Sequence, residues 1–93
     1  KARAAATEEP LSSAEQRRKK KEEEAEIRRI QRRKESLETS ISNLEEEIKE
    51  IEQVVCREDI MTDHVKLAEL SEKLDLKRAE LDSNYEEWLE LQE

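Results

Sequence analysis

Ile27, Ile30, Leu37, Ile41, Leu44, Ile48, Ile51 and Val55 follow one another at alternating steps of three and four residues, with Lys34 as the one interruption. After a short polar gap the pattern resumes as Leu67, Leu70, Leu74, Lys77, Leu81, Asn84, Trp88 and Leu91. An apolar period of 3.5 residues marks the seam of a coiled coil. Two such seams in one short chain, joined by a connector, predict an all-α fold: an antiparallel two-helix coiled-coil hairpin. A hairpin of this kind encloses no pocket, so its function falls to its outer faces and ends.

Punctuation along the chain sets the boundaries. Residues 1–11 (KARAAATEEPL) carry no apolar period and hold the sole proline, Pro10; they read as a flexible, disordered linker. Ser12-Ser13-Ala14-Glu15 has the capping-box form, a serine with a glutamate three residues on, which starts a first helix over about 13–55. Lys20 and Glu23 occupy the heptad positions that a seam would bury, so residues 13–26 are expected to be helical but unsupported. The connector is residues 56–62 (CREDIMT), and Thr62 or Asp63 caps a second helix over about 63–91. Residues 12–93 thus form the hairpin.

Facing residues of an antiparallel pair follow from the register. The expected one centres the turn on Asp59 and sets Ile51 opposite Leu67, Ile48 opposite Leu70, Leu44 opposite Leu74 and Ile41 opposite Lys77. Further out it sets Leu37 opposite Leu81, Lys34 opposite Asn84, Ile30 opposite Trp88 and Ile27 opposite Leu91. Its attraction is the polar layer Lys34–Asn84, which penalises slippage. The rival register, one heptad away, sets Lys34 against Leu91 and Ile41 against Asn84.

Composition narrows the class. Charged residues are 47% and hydrophobic residues 33%, and there is no glycine. Tight β-turns usually need glycine, and the apolar residues suffice for one seam only, so neither a sheet nor a globular core is expected. Ninety-three residues allow one small domain. The net charge of −8 is unevenly spread: residues 1–34 hold 12 Lys/Arg against 7 Glu (+5), and residues 35–93 hold 6 Lys/Arg against 19 Asp/Glu (−13). A basic stretch on an acidic body suits an anionic partner at one end. The lone Cys56 fits a reducing, cytosolic setting. No apolar run approaches the ~18 residues of a membrane span, and no signal peptide is visible. The absence of an initiating methionine points to a piece of a longer protein.

The candidate interface is basic. Arg17, Arg18, Lys19, Lys20 and Lys21 are contiguous, and Arg28, Arg29, Arg32 and Arg33 follow. Arg18, Lys21, Arg28 and Arg32 fall opposite the seam, with Arg29 beside them. Such a row can track phosphates and displace counterions. Glu22, Glu23, Glu24 and Glu26 dilute it, and the competing reading is the solvated charged face that most coiled coils have. Trp88 is expected to pack on the seam, with Tyr85 covering it. Cys56 and His64 are too few ligands for zinc, and the acidic connector lacks the glycine-containing calcium loop. No nucleophile sits beside a base and there is no phosphate-binding glycine loop, so the chain is not expected to be an enzyme, to hold a metal or to carry a cofactor.

The opening Glu15-Gln16-Arg17, the Arg pairs 28–29 and 32–33, the Leu37-Glu38 entry into a Leu-Glu and Ile-Glu repeat, the connector CREDIMTDHVKL and the closing Tyr85-Glu86-Glu87-Trp88-Leu89-Glu90-Leu91 together resemble the C-terminal domain of the ABC-F subfamily of ATP-binding cassette proteins. The resemblance covers roughly residues 12–93; it departs from the family in lacking a connector proline. It implies a cytosolic bacterial parent ATPase with two cassettes, acting on the ribosome as a translation factor or in antibiotic resistance. ATP and magnesium would bind in those cassettes, none of whose motifs is present here. It also implies nucleic-acid contact, to DNA or ribosomal RNA, through Arg17–Lys21, Arg28, Arg29, Arg32 and Arg33. The alternative is a structural or protein-interaction hairpin that contacts its own cassettes or a partner helix. In either case the hairpin is expected to be monomeric.

Overall fold

The computed structural model describes residues 12–92; the linker expected over residues 1–11 lies outside them. Three helices follow in order: α1 (Ser13–Val55), α2 (Glu58–Met61) and α3 (His64–Gln92). The described residues divide into two units after Gln31.

In the first unit Ser12 starts α1. Its Oγ accepts the Glu15 amide at 3.2 Å and its carbonyl accepts the Gln16 amide at 2.8 Å. These bonds satisfy donors that a helix start otherwise leaves free. Residues 13–24 are all exposed. Ile30 is half-buried, while Ile27 is 65% exposed. The expected seam pairing of Ile27 with Leu91 is therefore corrected: Ile27 is not a core residue.

The second unit is the helical hairpin. Its part of α1 buries Leu37, Ile41, Leu44, Ile48 and Ile51, spaced as the heptad requires. In α3 only Leu74 reaches full burial among the described residues, while Leu67, Leu70, Leu81, Trp88 and Leu91 are half-buried. Ile48, Ile51 and Leu74 form one cluster, with Val55, Leu70 and Leu81 packed against it. This is one thin seam between two helices.

The connector is not an open loop. Residues Glu58–Met61 make one helical turn, and Ile60 in that turn is buried. Thr62 closes it, its amide and hydroxyl both donating to the Glu58 carbonyl, at 3.2 and 3.0 Å. Asp63 opens α3: its Oδ1 accepts the Lys66 amide at 3.1 Å. No described residue has a positive φ. A chain without glycine reverses direction here by spending residues on a helical turn, and avoids the left-handed cap that glycine favours.

That turn moves the register by one heptad from the expected one. Arg78 bonds to Glu52 and the Tyr85 hydroxyl to Glu45, each at 2.9 Å. With the turn centred on Asp59, Arg78 would have come to Glu45. The core cluster agrees, because Leu74 groups with Ile51 and Ile48. In this register Lys34 and Asn84 do not face each other; both are half-buried in separate layers, and Lys77 is a third polar residue at a seam position. It is half-buried and pairs with Glu47, laying its stem along the apolar contact while its ammonium reaches the edge. Trp88, expected against Ile30, is beside Ile41.

Candidate nucleic-acid interface

All nine basic residues singled out from the sequence lie on α1, and all are exposed. Eight of them fall outside the seam positions of the heptad; Lys20 occupies one, but residues 13–24 are all exposed, so solvation of the charged head is the default state of each. They do not share one environment.

Arg17 Nε donates to the Ser13 carbonyl at 3.3 Å, a local bond within the first turns. Arg18, Lys19, Lys20, Lys21, Arg28 and Arg32 carry exposed cationic heads. Arg29 pairs with Glu26 one turn earlier, both ends open to water; such a pair is weak and exchangeable. Arg33 differs. It makes a fork-to-fork pair with Glu87 of α3, which raises the guanidinium further above its ordinary value and holds the Glu87 carboxylate below the usual range. To reach a phosphate Arg33 would first have to leave that carboxylate.

The acidic side of the hairpin is organised rather than diffuse. Glu47 pairs with Lys77 and Glu52 with Arg78 across the seam, and Asp59 takes Arg57 within the connector. The Arg57 guanidinium lowers Asp59 from its ordinary value, and the Glu47 carboxylate raises Lys77. Tyr85, expected merely to cover the seam, donates to Glu45, which raises its phenol. Sequence reasoning missed this ladder. The signal was present as complementary residues at the heptad positions flanking the core, but reading it requires the register.

Among the described residues no group of His, Cys, Asp and Glu is arranged to hold a metal ion, and no helix is long and apolar enough to cross a membrane. Cys56 is a free, exposed thiol.

A family model described as the ABC transporter C-terminal domain matches residues 27–93, which include the whole hairpin unit. The chain belongs to that family. No curated protein and no solved structure matches it. Within this C-terminal domain the matched stretch takes in Arg28, Arg29, Arg32 and Arg33 and begins after Arg17–Lys21. The basic row therefore has two parts: one inside the family pattern and one ahead of it. The domain is an accessory part of ABC proteins and is distinct from their catalytic cassettes.

Proposed function

We propose that this domain is an accessory nucleic-acid-binding module of an ABC-F ATPase, acting in the cytoplasm on DNA or on ribosomal RNA within the ribosome. What carries the reading is the row of exposed cations on α1, Arg17 to Lys21 followed by Arg28, Arg29 and Arg32. Set on a chain of net charge −8, this row is where a polyanion meets least repulsion. Phosphate contacts from solvated Arg and Lys position a helix on a duplex without reading bases. Glu26 on Arg29 and Glu87 on Arg33 act as placeholders that phosphate must displace.

Binding of the chain to duplex DNA and to structured RNA across a salt series tests this. The expected result is a linear fall of log affinity with log salt, with a slope of about −0.9 per phosphate neutralised on DNA. Charge reversal at Arg28, Arg29 and Arg32 should flatten that slope. Affinity that survives the reversal, or no binding at ~50 mM salt, would overturn the reading. It would favour the second one, a protein-interaction hairpin serving its own cassettes or a partner helix. The observation behind that second reading is that Arg29 and Arg33 already hold carboxylates.

A further inference from the structure

One flank of the seam is a ladder with a missing rung. Glu52 receives Arg78, and one heptad along Glu45 receives the Tyr85 hydroxyl. One heptad further the row carries Glu38, and the register brings it the uncharged Gln92. Glu38 has no cationic partner among the described residues. Nearby, the indole Nε1 of Trp88 is sealed from solvent yet donates to no acceptor among the described residues. A buried indole N–H usually has a partner, and an exception calls for an explanation. Glu38, Ile41, Ser42, Glu45, Tyr85 and Trp88 line a single groove of about 150 Å³.

We propose that this groove binds an arginine side chain presented by a basic peptide segment of a partner protein. Its volume is well below the ~300–1,000 Å³ of pockets for drug-sized ligands and suits one side chain. Two aromatic residues and two carboxylates among its lining residues suit a guanidinium, which stacks on aromatic rings and makes charge-assisted hydrogen bonds to carboxylates. Nucleic acid does not fit, because Glu38 and Glu45 repel phosphate. The acidic body, −13 over residues 35–93, draws a cationic segment toward this face. The site uses none of the basic residues on α1 and stands apart from the nucleic-acid reading.

The chain has one tryptophan, so an isotope-labelled sample gives one indole N–H resonance. The probe is acetyl-Ala-Ala-Arg-Ala-Ala-amide, with the citrulline peptide as its neutral isostere. The arginine peptide should shift the Trp88 resonance saturably and the citrulline peptide should not. Glu38→Gln with Glu45→Gln should weaken the arginine peptide about tenfold; glutamine still accepts the Tyr85 hydroxyl. Glu69→Gln with Glu72→Gln removes the same charge elsewhere on the surface and should change affinity less than about twofold. Equal weakening by both pairs would mean unspecific attraction and overturn the proposal. So would an unmoved indole resonance, equal binding of both peptides, or an indole shift that grows with protein concentration alone, which would assign the groove to a second copy of the chain. The comparison of the two peptides on the unmodified chain decides even if a variant fails to fold.

Discussion

Arg33 Nε donates to Glu87 Oε2 at 2.5 Å while its Nη2 donates to Oε1 at 2.7 Å, so one guanidinium joins α1 to α3 across 54 positions of sequence. Both side chains stay about half exposed, yet two parallel bonds give the pair a fixed geometry that single-point ion pairs lack. Arg33→Glu is expected to lower the thermal midpoint of the hairpin. Arg28→Glu and Arg32→Glu, which change exposed residues and break no such fork, should leave it unchanged. Thermal melts of the three single variants check this, and equal midpoints would show that the fork contributes nothing to stability.

The same pair predicts a pH dependence. Glu87 is held below its ordinary carboxylate value of 4.5 by Arg33, and Asp59 below 3.8 by Arg57. Each contribution is fully present above the unfolded value and is lost as pH falls through the lowered folded one. The midpoint difference between the parent chain and Glu87→Gln should therefore be constant near neutrality and close below about pH 4. Tyr85 and Lys77 are raised from 10.0 and 10.5 by their glutamates, so their contributions hold below those values and disappear as pH rises through the raised ones. The effects should be small, because the groups are solvated.

Truncation of Leu44 or of Ile60 should each be strongly destabilising. Leu44 is 6% exposed in the seam and Ile60 is 7% exposed in the connector turn. Alanine at either should cost about 2–4 kcal/mol in urea unfolding. A loss below about 1 kcal/mol at Ile60 would mean that the turn is ornamental and that register is set elsewhere.

Register is open to a direct chemical test in a Cys56→Ser background. Ile51→Cys with Leu74→Cys should close an intramolecular disulfide on mild oxidation, because these residues share a core cluster. Ile51→Cys with Leu67→Cys should resist closure. The opposite outcome would restore the register centred on Asp59.

The hairpin was legible in the sequence because its heptads are long and both seams are apolar. Its register was not. A heptad repeat looks the same after a slide of seven residues, so core burial alone separates the two alignments poorly. Charge did not separate them either: Arg78 finds a glutamate in both, Glu45 in one and Glu52 in the other, and so does Arg33, Glu80 in one and Glu87 in the other. The Lys34–Asn84 layer was a plausible lock, but the structure puts the two in separate layers and adds Lys77 at the seam, whose stem is tolerated because Glu47 takes its charge. The deciding element was Ile60, whose burial makes CREDIMT a packed helical turn. Seven residues are too few for a periodic signal to show this. The nine basic residues were found as a run, but the carboxylates on Arg29 and Arg33 were not. Glu87 in particular lies on the other helix, where only the folded register brings it close.

Because the connector fixes which turn of α3 meets which turn of α1, CREDIMT works as a ruler. A seven-residue change in its length would leave the apolar contacts looking intact and yet rewire each flanking partnership. The groove between Glu38 and Trp88 would be dismantled without a single change to the residues that line it. Two hairpins with the same heptads but connectors that differ by one heptad would therefore present different surfaces to their partners, and drift in loop length offers a route to new specificity that leaves the coiled coil untouched.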